Sequence, residues 1–189
     1  MRLFILVSGL VVTSSVRALA QTPHTGEAAA TYEWVHTNTQ PGACGCFGLN
    51  GGGVAASWNV SSRFAAVVDV SGGFEGNGPS TGNSLTLVSY TAGGRYYFRP
   101  HLPAGRRNLQ PFAQLLAGAA HAGGGIAGAG DGTYAFAGRA GGGVDLPINQ
   151  ALSIRVLQVD YYSTSFANAT NDHQNNLLLG AGIAVRWSR

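Results

Sequence analysis

Charge is what this sequence has least of. Only 10% of its 189 residues are charged, against ~25% in an ordinary globular domain. Lysine is absent, and the eleven basic residues, all arginine, stand against eight acids. So little charge excludes a long coiled coil and a charged disordered tail. It is also too little for a freely soluble surface, which carries ~25–35% charge. Cysteine is scarce, with two residues, so a disulfide-built scaffold is excluded. No apolar run of the length a membrane helix needs is present beyond the N-terminus, because polar residues or glycine break each one. Glycine is abundant, at 29 residues, but without the period of three that collagen requires.

Met1 and Arg2 open a positive segment, Leu3–Val12 is apolar apart from Ser8 and Gly9, and Ala18-Leu19-Ala20 has the small-x-small form of a cleavage site. Residues 1–20 therefore read as a secretory signal peptide. The apolar run is too short to cross ~30 Å of hydrocarbon as a helix. No cysteine stands at the cleavage site. The expected mature domain is 21–189. Arg2 and Arg17 leave with the leader, so the positive balance nearly vanishes. With no basic stretch beyond Arg106-Arg107, nucleic acid is not an expected partner.

What the mature chain has is alternation. Leu177, Leu179, Ala181, Ile183, Val185 and Trp187 are apolar in strict period two. The interleaved Leu178, Gly180, Gly182, Ala184 and Arg186 are small or polar apart from Leu178. That predicts a strand with one apolar and one crowded, partly polar face. The pattern recurs around Tyr32, over 54–60, 64–70, 86–98, 111–119, 134–144 and 151–162. The expectation is eight strands of about nine to thirteen residues, where a membrane-spanning strand needs ~9–11.

Connections alternate too. The segments 59–62 and 147–150 are short, while 37–51, 72–83, 121–132 and 163–174 are long and rich in Gly, Asn, Ser and Thr. The segment 100–109 falls on the short side but is longer than its fellows. Short turns at one end and long loops at the other are the habit of outer-membrane barrels. Trp58, Phe64, Tyr96, Phe98 and Trp187 are expected near the short-turn rim, and Tyr134, Phe136, Tyr161 and Tyr162 near the long-loop rim, as two aromatic girdles.

The other face of these strands would carry Glu33, Asp69, Arg95, Arg139, Asp145, Arg155 and Arg186 into the barrel. Asp160 joins them if a bulge near Leu157 corrects the phase of the seventh strand. An eight-stranded interior is just wide enough to be filled by side chains. Buried charges there must pair, so an Arg/Asp/Glu network and a plugged interior are expected. Glycines 93, 141, 143, 180 and 182 would make room for the arginines. A catalytic use of these carboxylates has little support, since no histidine shares their face.

The pattern over Ala28–Trp187 resembles the small eight-stranded outer-membrane barrels, the OmpA/OmpX-type membrane domain. The C-terminal stretch Gly180-Ala181-Gly182-Ile183-Ala184-Val185-Arg186-Trp187 is similar to the terminal-strand signal of that family, with Gly182, Val185 and Trp187 as its marks. The family's aromatic usually closes the chain, whereas here Ser188 and Arg189 follow. The resemblance implies an all-β, antiparallel, up-and-down transmembrane β-barrel of eight strands. It implies the outer membrane of a Gram-negative bacterium, outer-membrane lipids and the barrel-insertion machinery as partners, and a structural or surface-interaction role. It leaves open what the long loops bind.

Cys44 and Cys46 lie in the first long loop, and export predicts a loop-local disulfide. The five histidines form no metal pair, and no cofactor is expected. Asp172-His173 beside Ser163 and Ser165 could be drawn as a hydrolase site, but a solvated polar loop is the plainer reading. Two alternatives to a non-enzymatic membrane barrel stay open at this point. One is a barrel enzyme acting on lipid or peptide. The other is a soluble lipocalin-like barrel with its apolar face inside.

Overall fold

The computed structural model describes residues 25–37, 47–75, 85–98, 109–124, 133–166 and 173–188. The leader, Cys44, Cys46, Arg106, Arg107 and Asp172 lie outside the described residues. The strands are β1 (Thr25–Thr37), β2 (Phe47–Asn59), β3 (Phe64–Glu75), β4 (Leu85–Tyr97), β5 (Gln110–Gly124), β6 (Thr133–Pro147), β7 (Leu152–Thr164) and β8 (Gln174–Ser188). Each pairs antiparallel with the next, and β8 returns to β1 to close the barrel. Closure removes both sheet edges, so no strand edge is left exposed.

The strands run 12–15 residues, longer than the alternation predicts. The ladder continues through segments that look like loop in composition. Gly51, Gly52 and Gly53 of β2, for example, pair with Gly73, Gly72 and Ser71 of β3. Backbone N–H and C=O groups need no side chain to pair, so glycine-rich composition marks the loops too generously.

The short turns have sequence causes. At Val60–Arg63 the Ser61 Oγ accepts from the Phe64 N–H at 3.1 Å. Between β6 and β7 the Asn149 Oδ1 accepts from the N–H groups of Ala151 and Leu152, both at 2.8 Å. Side-chain oxygens of this kind stand in for a backbone acceptor and set the turn.

The phase slip in β7 is a bulge. Arg155 and Leu157 oppose Asp145 and Val144 of β6, leaving Val156 unpaired. Val156 and Leu157 are both exposed. The extra residue keeps Arg155, Gln158 and Asp160 all on the inner face. Without it, Gln158 and Asp160 would point outwards.

Candidate functional site: the barrel interior

The inner face is built in layers, because inward residues recur every second position along each strand and neighbouring strands bring them level. The layer nearest the short turns centres on Glu27. Its Oε1 accepts from Arg95 Nη1 at 3.2 Å and Arg155 Nη2 at 3.3 Å. Its Oε2 accepts from Arg186 Nε at 2.9 Å. Asp145 takes Arg155 Nε at 2.9 Å. The Phe112 ring is in contact with two guanidinium groups, with Arg95 Cζ at 4.4 Å and Arg155 Cζ at 4.7 Å from its centroid. An aromatic face attracts cations, more so when both are dry.

The middle layer centres on Arg139. Its Nη1 donates to Asp69 Oδ1 at 2.6 Å and to Ser71 Oγ at 3.2 Å. Its Nη2 donates to Asp160 Oδ2 at 2.9 Å and lies 3.5 Å from Glu33 Oε1. Gln114 joins the two layers. It accepts from Arg95 Nη2 at 2.9 Å and donates to Asp160 Oδ2 at 3.0 Å. Gln158 adds a 2.7 Å bond to Asp160.

Towards the long loops the chemistry changes. Val35, Leu49, Ala120, Ala122, Ala137, Tyr162, Phe166 and Leu178 form a buried apolar cluster, with Leu87 and Ala135 packed against it. Phe166 lies beyond the end of β7, yet only 1% of it is exposed. The chain turns inwards there, held by the Ser165 N–H to Phe136 C=O bond at 3.0 Å.

All seven charged residues assigned to the inner face from the sequence stand in these two polar layers, and Asp160 is with them. Glu27 is the residue that reading missed. It is in phase with Ala29, Thr31 and Glu33, and carrying the alternation around Tyr32 back to residue 27 reaches it. Two expectations need correction. Tyr162 is not part of the outer girdle: it is 2% exposed and sits in the inner cluster, because its neighbour Tyr161 takes the outward position. The glycines do not make room for arginine. A side chain at Gly141 would collide with Asp160, and one at Gly143 would stand 2.7 Å from the Phe112 ring. At Gly93 and Gly182 the obstacle is the carbonyl of the adjacent strand, whereas at Gly180 the Tyr32 carbonyl, Glu33 and Gln158 stand at ordinary contact distance. Close backbone approach explains the first four better.

The outer face is the reverse of the inner. Tyr32, Val54, Val68, Tyr90, Leu115, Ile183 and Val185 are among many exposed apolar side chains, and no arginine or carboxylate interrupts them on the described strands. At the short-turn end Phe64, Tyr96 and Phe98 form an edge-to-face series, with centroids 4.9 and 5.0 Å apart. Trp187 lies over Gly26 of β1, where any side chain would meet its indole 2.6 Å from Nε1. Val185 and Trp187 face outwards, while Gly182 faces in. At the long-loop rim Ser165 Oγ and His173 Nδ1 are 3.5 Å apart.

No protein-family model matches the chain, and no curated protein matches it in sequence. Solved structures do match. The chain is similar to Neisserial surface protein A, with a TM-score of 0.58 at 15% identity, over 87% of this chain and 97% of that one. It is similar to Ail, the attachment invasion locus protein of Yersinia pestis, with a TM-score of 0.53 at 14% identity, over 88% and 100%. The outer membrane protein OprG of Pseudomonas aeruginosa gives 0.54 at 10% identity, over 88% and 97%. The fold is thus that of the small eight-stranded outer-membrane barrels.

Proposed function

We propose that this chain is an outer-membrane barrel of a Gram-negative bacterium, reached by export with a cleaved leader, and that it serves a structural or surface-interaction role with its interior closed. One observation carries the reading: the barrel is apolar outside and charged inside. A water-soluble barrel needs the opposite arrangement, so the lipocalin-like alternative loses its support. Charge on a lipid-facing strand position costs ~2–4 kcal/mol near the midplane, and these strands keep theirs on the inner face. The plug is supported by the arginines and carboxylates that bridge the interior between non-adjacent strands, and by Phe166 and Leu178 above them. Outer-membrane lipids are the partners the exposed belt fits, and Gly182, Val185 and Trp187 at the β8 end suit recognition by the insertion machinery. An enzymatic reading would draw on Ser165 Oγ and His173 Nδ1, 3.5 Å apart at the long-loop rim, with Asp172 outside the described residues. Membrane fractionation with a heat-dependent gel shift tests the location; full solubility without detergent refutes it. Planar-bilayer recording tests the plug, for which no stable channel of porin size is expected.

A further inference from the structure

The two polar layers are not balanced in formal charge. Within them Glu27, Glu33, Asp69, Asp145 and Asp160 face Arg95, Arg139, Arg155 and Arg186, leaving one carboxylate in excess. The excess is concentrated. Near the short turns three arginines meet Glu27 and Asp145. In the middle Arg139 alone meets Glu33, Asp69 and Asp160. All three carboxylates are buried. An uncompensated buried charge costs several kcal/mol, and carboxylates that share one site do not all ionise.

The three are not equivalent. Asp160 accepts from Arg139, Gln114 and Gln158. Asp69 has the shortest bond to Arg139, 2.6 Å. Glu33 has the longest, 3.5 Å, and its other donor is the neutral Thr31 hydroxyl at 3.1 Å. Glu33 also borders a cavity of about 10 Å³ with Ser71, Ser89 and Tyr162, about the size of one water. The Tyr162 hydroxyl is buried there beside Ser89. A water in that cavity would contact these hydroxyls and give a carboxyl on Glu33 a second contact.

We propose that the middle layer binds one proton, held on the Glu33 carboxyl, in the folded barrel at neutral pH. The ionisable groups around Glu33 are Asp69 from β3, Arg139 from β6, and Asp160 and Tyr162 from β7. Arg95 of β4, Arg155 of β7 and Arg186 of β8 belong to the layer below, where Glu27 engages them. The inward residues of β2 and β5 beside it carry no ionisable group. A proton fits where a metal ion does not: the cavity has no room for a coordination shell, and Arg139 occupies the space between the carboxylates.

The inference rests on an interior closed to bulk water, which bilayer recording checks separately. Infrared spectra of the full barrel, folded in detergent at neutral pH, should show the carbonyl stretch of a protonated carboxyl. Glu33→Gln should remove it. Refolding should take up about one proton more per chain in the wild type than in Glu33→Gln. Absence of the band in the wild type, its survival in the variant, or equal proton uptake would each overturn the proposal. So would failure of Glu33→Gln to fold, since a neutral isostere of a protonated acid must be tolerated.

Discussion

Along single strands the inner face changes character. β1 runs from Glu27 through Glu33 to Val35, β6 from Asp145 through Arg139 to Ala137, and β8 from Arg186 to Leu178. The half near the short turns is filled by arginine, carboxylate and amide groups whose bonds have direction. The half near the long loops is filled by apolar side chains whose contacts do not. Both fill the same cylinder. The polar half fixes strand register, because a one-residue slip would unpair Arg139 from three carboxylates at once. The apolar half fills space, so a loss there opens a void without stranding a charge.

Deleting Val156 is the severest way to break the polar half. The bulge would vanish, and either Arg155 or the Gln158–Asp160 pair would turn outwards. We expect no heat-modifiable folded barrel from this deletion on gels. A deletion mutant that folds normally would show that the bulge does not set the phase of β7.

Arg139→Ala comes next. It leaves Glu33, Asp69 and Asp160 buried without the one cation that pairs with them among the described residues. Breaking a buried pair from one side costs about 3–5 kcal/mol, and three acceptors share this one donor. Reversible urea unfolding of the refolded barrel should show a loss of that size. A loss below about 1 kcal/mol would place Arg139 among exposed ion pairs, and the layered description would fail.

Much of this comparison could be read from the residues alone, and its limits are physical. Period two assigns inside and outside for every strand, since adjacent side chains must point oppositely. That places seven charges inside and flags the β7 slip at Gln158 and Asp160. It does not fix where strands end, because backbone pairing continues through glycine, and so Glu27 was lost. It says nothing of height along the barrel axis. Leu178 stood out as an apolar residue on a polar face, but only the pairing of Val35 with Leu49 and Leu178 turns such exceptions into a cluster. Phe166 has no strand periodicity to betray it, being set inwards by the chain path beyond β7.

Phe166→Ala probes the apolar half. The ring is almost wholly buried, and its removal should cost ~3 kcal/mol by transfer and cavity terms. The barrel should still fold, with its ion pairs intact and its urea midpoint lowered. A channel opened by this substitution would show that the apolar cluster, not the arginine network, closes the interior.

The smallest expected effect separates polarity from pairing. Thr91 of β4 lies among the polar layers, buried, yet its Oγ1 has no hydrogen-bond partner among the described residues. If the lower interior is stabilised by polar groups as such, Thr91→Val should cost as much as losing a hydrogen bond, ~1 kcal/mol. If only paired groups contribute, the nearly isosteric valine should be neutral or stabilising by a few tenths of a kcal/mol, because a buried hydroxyl without a partner forfeits its hydration for nothing. We expect the second outcome in urea unfolding. A clear destabilisation would mean that the hydroxyl is bonded through a water, and that water takes part in the packing of the charged half.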